Sequence, residues 1–361
     1  MRTIRTMAGP ALVPEVGFAA VPDGGRVAYA TAGEGPPLVM VPGWLSHVRE
    51  LWTHPSAAAA LAKLADGHRF VWWDRLGCGM SDRHLVRPSI EGDLAQLVAV
   101  LDALAIDRCD LLGYSFGGPP AVAFAHQHPE RVRHLVLYST YGRGAELADD
   151  AMFDALIELV RTGWELAAAT LAALFLADGT ADDRRWFSRF QRLSSEATTA
   201  ADLLAYTKSQ DVTALLPELR VPVTVVSSAD DRVVTPDHAR TLARAIPGAR
   251  LVVVDGRTHD PFIRGDGGVV EAILAGVEGR PTVVPPASTP GPTASAAPLT
   301  PREVDVLRAL VGGSSNKAIA TQLGVSTATV ERHLSNLYRK LGVSGRAEAA
   351  VRAVRHGLLR G

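Results

Sequence analysis

The chain has 361 residues, 47% of them apolar, and its 37 Lys and Arg against 38 Asp and Glu leave a formal net charge of −1. This composition suits a globular protein and excludes a disordered or membrane-embedded one, and two cysteines, Cys78 and Cys109, are too few for a disulfide framework or a zinc finger. The neutral total hides an asymmetry: residues 297 to 361 carry 10 basic against 4 acidic side chains (net +6), leaving 27 against 34 (net −7) for residues 1 to 296. A polyanionic partner is therefore expected at the C-terminal end alone. Met1 to Pro10 lacks the apolar core of a signal peptide and no stretch approaches a membrane span, so a cytoplasmic protein is expected.

Phe18 to Val21 and Arg26 to Thr31, joined by Pro22-Asp23-Gly24-Gly25, predict a β-hairpin with a glycine turn. Pro37 to Val41 is a buried strand ending at Pro42-Gly43-Trp44, Leu51 to Ala65 an alanine-rich helix, and Arg69 to Trp73 the next strand. Trp72 and Trp73 are expected to pack on opposite faces of that strand. Asp74 to Asp82 reads as a structural turn, and Ile90 to Leu104 as an amphipathic helix with Leu94, Leu97, Val98, Leu101 and Leu104 on one face. Asp110 to Leu112 leads into Gly113-Tyr114-Ser115-Phe116-Gly117-Gly118 and then a helix from Pro119 to His128. In that context of strand, sharp turn and helix, a serine flanked by glycines two residues away on each side is a candidate nucleophile, its hydroxyl lifted from the sheet on a tight backbone. Arg133 to Ser139 is a further strand with no carboxylate at its end. From Tyr141 to Pro217 the pattern is helical, with Trp164, Phe175, Trp186, Phe187, Phe190 and Tyr206 spread through it. Val221 to Ser227 and Leu251 to Val254 are the last strands, and Val269 to Val277 a last helix.

On these residues the chain resembles the α/β-hydrolase family. The resemblance implies a doubly wound, mostly parallel sheet over residues 1 to 280, with residues 141 to 217 as a helical cap roofing an apolar pocket. It also implies a catalytic triad in the order Ser115, Asp231, His259. The family's acid aligns with Asp231 through Asp-x-Val-Val-x-Pro, the neighbouring Asp230 being the alternative. Backbone N–H groups of Trp44 and Phe116 stand where the family forms its oxyanion hole. Two departures are visible: Pro42 replaces the family's usual histidine, and Leu76 replaces the commonest arginine of the Asp-x-Arg-Gly loop. Chemically, His259 would take the serine proton and return it to the leaving group while the acid fixes the imidazole tautomer.

Residues 281 to 297, rich in Pro and Ala, read as a semi-extended linker with a reach of about 50 Å if polyproline-like. Thr300-Pro301-Arg302-Glu303 then forms a capping box opening a helix with Val304, Leu307, Leu310 and Val311 inward. Asn316 to Leu323 is a second helix closed by Gly324, Ser326 caps a third from Thr327 to Leu341, and Ser344 caps a fourth. Residues 298 to 361 closely resemble the LuxR-type (NarL/FixJ) helix-turn-helix domain through Leu299-Thr300-Pro301-Arg302-Glu303, Ser315-Asn316-Lys317-Ala318-Ile319-Ala320, Thr329-Val330-Glu331-Arg332-His333-Leu334 and Arg339-Lys340-Leu341-Gly342-Val343. The resemblance implies a recognition helix with Val330, Leu334, Leu337 and Leu341 in the core. Thr327, Thr329, Glu331, Arg332, Ser335 and Arg339 would then face double-stranded DNA, with Lys317, His333 and Lys340 as phosphate contacts. A fourth helix bearing Ala350, Val351 and Val354 would pair two copies as a dimer.

Together these features predict a DNA-binding transcriptional regulator whose hydrolase-fold domain senses, and by a Ser-His-Asp mechanism cleaves, a small apolar ester or lactone. The alternatives are a serine esterase or lactonase with an incidental basic tail, and a non-catalytic receptor on the hydrolase fold. No metal or organic cofactor is indicated.

Overall fold

The computed structural model describes residues 13–22, 24–83, 87–263, 268–280, 299–311 and 315–341, with Ala349 and Ala353. The chain divides into two compact units, Met1–Pro285 and Pro286–Gly361. The linker expected at 281–297 lies outside the described residues.

In the larger unit, Glu15–Ala20 (β1) and Arg26–Ala32 (β2) form the antiparallel hairpin, Glu15 opposite Thr31 and Ala20 opposite Arg26. β2 pairs antiparallel with Arg69–Trp73 (β4), and from there the sheet is parallel: Pro37–Val41 (β3), Cys109–Tyr114 (β5), Val132–Tyr138 (β6), Val223–Ser228 (β7) and Arg250–Val254 (β8). The order across the eight strands is β1-β2-β4-β3-β5-β6-β7-β8. Strands 3 to 6 are buried on both faces, which is why they read as unbroken apolar runs. Successive side chains join different cores, Leu38, Met40, Trp72 and Leu112 on one face and Val39, Val41, Trp73 and Leu111 on the other.

Pro55–Ala65 (α1) and, late in the chain, Val269–Val277 (α9) cover the first face. Ile90–Ala103 (α2), Gly118–Gln127 (α3) and Pro236–Ala245 (α8) cover the second. Between β6 and β7 the chain inserts four helices, Asp150–Thr162 (α4), Trp164–Phe175 (α5), Ala181–Ser194 (α6) and Ala197–Ser209 (α7), whose apolar faces join the first core. The first helix starts later than the Leu51 expected. Glu50–Thr53 is a separate 3₁₀ turn, because Pro55 has no N–H to bond into a preceding helical turn and holds His54 in an extended conformation.

The loop after β4 is packed into the fold. Asp74 accepts from the amides of Val48 and Met80, Leu76 is buried in the second core, and Gly79 adopts φ +52° where a Cβ would lie 1.9 Å from the Asp74 carboxylate. Beside it the Arg75 guanidinium, 3% exposed, is forked onto Asp93 of α2 at 2.6 and 3.2 Å, and Tyr206 of α7 donates to the same carboxylate at 2.9 Å.

The smaller unit consists of Pro301–Val311 (α10), Asn316–Leu323 (α11) and Thr327–Leu341 (α12) around one apolar cluster. Ser315 caps α11, Gly324 ends it in the left-handed conformation, and Val330, Leu334, Leu337 and Leu341 face inward. On α10, Val306 and not Val304 is the fully buried valine: Glu303, Val306, Leu307 and Leu310 set the inward face, leaving Val304 partly exposed. Ala349 and Ala353 are buried against this cluster, while Ser344, Ala350, Val351 and Val354, where the dimer helix was expected, lie outside the described residues. No helix among the described residues is long and apolar enough to cross a membrane.

Breaking the Arg75–Asp93 pair strands a buried charge, so Asp93→Ala is expected to destabilise the larger unit by about 3–5 kcal/mol. All 6 tryptophans lie in that unit. Urea unfolding followed by their fluorescence therefore reads it alone, and a loss below about 1 kcal/mol would contradict a structural role for the pair.

Candidate active site

Ser115, Asp231 and His259 each come from the loop at the carboxyl end of a parallel strand, where open α/β sheets leave a crevice. After β5 the backbone turns at Ser115 with φ +51°, a left-handed conformation that a non-glycine side chain holds only under constraint. The neighbouring glycines make the turn possible. A Cβ on Gly117 would meet the carbonyl oxygens of Val41 and Pro42 at 2.4 and 2.5 Å, and one on Gly113 would meet Ala121 at 2.8 Å, where α3 crosses β5.

The Ser115 hydroxyl lies 2.7 Å from Nε2 of His259, which follows β8, and His259 Nδ1 lies 2.8 Å from Oδ2 of Asp231, which follows β7. The other carboxylate oxygen accepts from the amides of Val233 and Val234 at 2.8 and 3.1 Å, so the acid cannot rotate away. The neighbouring Asp230 makes no contact with the histidine among the described hydrogen bonds. With Nδ1–H donating to Asp231, Nε2 is left to accept the serine proton. Ser115, Asp231 and His259 are 3%, 3% and 1% exposed. The cap grips this group, because the backbone N–H of His259 donates to the carbonyl of Phe175 at the end of α5 at 2.9 Å.

Trp44 and Phe116 stand edge to face, 6.5 Å between ring centroids, and the Trp44 indole donates to the carbonyl of Ala200 on α7. Over Ser115 lies a mostly apolar cavity of about 50 Å³, walled by Trp44, Leu51, Phe175, Phe187, Phe190 and Phe262. Cys78 and Cys109 take no part. Burial pushes their thiols up to about 11 and 12, which suppresses the thiolate.

Asp260 and Tyr114, two of several polar wall residues, had no role in the sequence reading. Asp260, directly after His259, is buried on the cavity wall, accepts from the amides of Phe262 and Ile263 at 2.8 and 2.9 Å, and receives the Tyr114 hydroxyl at 3.2 Å. Burial raises the Asp260 carboxyl above its usual range despite those bonds, and burial followed by the Asp260 charge pushes the Tyr114 phenol well above its own. The signal was an acid beside the only histidine to follow a terminal strand. The cap phenylalanines gave none, since helical spacing does not tell which face meets the cavity.

In the smaller unit, Lys317, Thr327, Glu331, Arg332 and Ser335 are exposed, and Thr329 and His333 half-buried. The Arg339 side chain lies outside the described ones. Lys340 differs from the expected phosphate contact. Its ammonium is 2.7 Å from buried Glu303, whose carboxylate also closes the capping box at the Thr300 N–H. A carboxylate held that far inside needs an internal cation.

A serine on a left-handed turn between strand and helix, in hydrogen-bonded series with a histidine and a carboxylate on a doubly wound sheet, is the arrangement of a hydrolase-type fold. The chain belongs to the α/β hydrolase fold family, whose profile matches residues 36–266, and residues 297–353 match the bacterial regulatory proteins of the luxR family. It is similar to the polyketide synthase ThaQ of Burkholderia thailandensis, 32% identical over 269 residues, 71% of this chain and 12% of that protein. It is also similar to the 2-hydroxy-6-oxo-2,4-heptadienoate hydrolase of Pseudomonas putida, 35% identical over 136 residues, 37% of this chain and 48% of that one. The chain thus spans less than half the length of either relative. Among solved structures, the enol-lactonase from Burkholderia xenovorans LB400 superposes with a TM-score of 0.61 at 25% identity, over 72% of this chain and all of that one.

Because burial favours the neutral form of Asp260, its contribution to stability is full below the ordinary value of 3.8 and is lost as pH rises through the raised folded value. Asp260→Asn, which stays neutral, is therefore expected to gain stability relative to the native chain as pH climbs through that window. Thermal unfolding across pH checks this, and a pH-independent difference would contradict it.

Proposed function

We propose that this regulator, with its LuxR-type DNA-binding domain, uses the hydrolase-fold unit to sense and cleave a small apolar ester or lactone, with Ser115, His259 and Asp231 as the catalytic triad. The observation that carries the reading is the unbroken series from the Ser115 hydroxyl through His259 to Asp231 beneath an apolar cavity. A reacting carbonyl above Ser115 is attacked by the hydroxyl oxygen as His259 Nε2 takes the proton. The oxygen that gains the negative charge is received by the N–H groups of Trp44 and Phe116. Collapse breaks the ester bond, His259 returns the proton to the departing alkoxide, and water activated by the same imidazole releases the acid. The aromatic side chains of the wall favour an apolar acyl part, with the ionisable Asp260 and His47 also on the lining. The cavity of about 50 Å³ has room for a few waters, each needing about 10–15 Å³, so a ligand much bulkier than a short acyl group requires some movement of the cap helices. The enol-lactonase among the similar solved structures supports this substrate class.

In the smaller unit, Arg332 and Ser335 of α12 would read base edges, Glu331 would accept from a cytosine amino group, and Lys317 would hold phosphate. Two copies would bind half-sites about one helical turn apart. Such a protein works in the cytoplasm.

A fluorophosphonate probe tests the triad. The native chain should label and Ser115→Ala should not; an unlabelled but folded native chain would favour a receptor that binds without cleaving. For the other unit, anisotropy titrations of the full chain on a labelled duplex should weaken steeply with salt. Lys317→Ala should lower the slope of that dependence by about 1, and an unchanged slope would remove Lys317 from the phosphate contacts.

A further inference from the structure

We infer that Arg75 and Thr140 are positioning residues for the oxyanion site, each holding from behind one of the two peptide units that donate there. This rests on the reading of Ser115 as nucleophile with Trp44 and Phe116 as donors. A peptide unit is planar, with its C=O and N–H pointing oppositely, so a hydrogen bond to the oxygen fixes where the N–H aims. The unit that bears the Trp44 N–H has Gly43 for its carbonyl, and Arg75 donates to that oxygen at 2.9 Å. The unit that bears the Phe116 N–H has Ser115 for its carbonyl, and the Thr140 hydroxyl donates to that oxygen at 2.6 Å. Side chains from two unrelated loops thus make the same contact on the two units in question. A donor on the carbonyl also polarises the peptide, strengthening its N–H toward a developing negative charge.

Both contacts are built in at some cost to the fold. Arg75 is held in place by its fork to Asp93, which is itself bound by Tyr206 of the cap. Thr140, 2% exposed, approaches the elbow so closely that a Cβ on Gly118 would lie 1.9 Å from its hydroxyl oxygen, which leaves only glycine at that position. The residue before it, Ser139, has φ +43°, a second left-handed non-glycine residue beside the one at Ser115, and its N–H remains tied to Val226 of β7. That bend turns the chain leaving β6 so that Thr140 meets the elbow. Backbone strain of this kind persists only where its surroundings impose it.

Turnover of p-nitrophenyl acetate by the full chain tests the assignment. Thr140→Val keeps the shape and removes the donor. Its kcat should fall roughly tenfold, less than the loss of a whole oxyanion donor, with KM within about twofold. Thr140→Ser should regain most of that rate. Arg75→Lys keeps a cation for Asp93 but cannot reach Asp93 and Gly43 together, so it should show the same loss confined to kcat. Should Thr140→Val not fold, Arg75→Lys decides on the same readout. Should the native chain refuse the ester yet take fluorophosphonate, the labelling rate replaces kcat. An active native chain whose Thr140→Val and Arg75→Lys variants keep full kcat overturns the positioning role and leaves the nucleophile standing. A native chain inert to both reagents overturns both readings.

Discussion

The left-handed backbone at Ser115 is the constraint on which the larger unit turns. A serine at φ +51° is held there only because β5, α3 and the end of β3 close around it, and the glycines at 113, 117 and 118 are the places where they touch. The eight-stranded sheet supplies the rigidity. Strands buried on both faces cannot shift register without driving side chains out of a core, so the loops at their carboxyl ends are fixed relative to one another. Hydrogen-bond distances of 2.7 and 2.8 Å across three separate loops follow from that.

The cap is fastened to this machinery at several points. Phe175 holds the backbone of His259, Ala200 holds the Trp44 indole, and Tyr206 reaches Asp93 and through it Arg75. A further tie joins His54, at the start of α1, to Asp183 in the capping box of α6, both buried. Helices that roof an apolar cavity and also touch the groups beneath it cannot be displaced by a ligand without some strain on those groups. Such coupling suits a site in which occupancy is to be reported.

The sheet was largely legible in the chain, since Pro37–Val41 and Arg69–Trp73 are continuous apolar runs bounded by breakers, and the observed strands have those bounds. The elbow was legible for the same reason: only strand, glycine, serine, glycine and helix in that order make such a turn. Ser115 could be proposed from its own strand-turn-helix setting, whereas Asp231 and His259 were reached through the resemblance, by residue order and the Asp-x-Val-Val-x-Pro pattern, in the loops after β7 and β8. What escaped depends on tertiary packing. The start of α1 was set by Pro55 against an otherwise good helical pattern. Asp260 looked like any loop acid until burial and the Tyr114 hydroxyl gave it a place. Lys340 resembled a surface cation, whereas a buried Glu303 one helix away claims it.

If the hydrolase-type unit senses as proposed, the state of its Ser115 site governs DNA binding by the same chain. The most direct test compares duplex binding by the full chain before and after its Ser115 hydroxyl is capped by a fluorophosphonate, with Ser115→Ala treated identically. An affinity change of about fivefold or more is expected in the native chain and none in the variant. Superimposable binding curves from free and capped protein would contradict it.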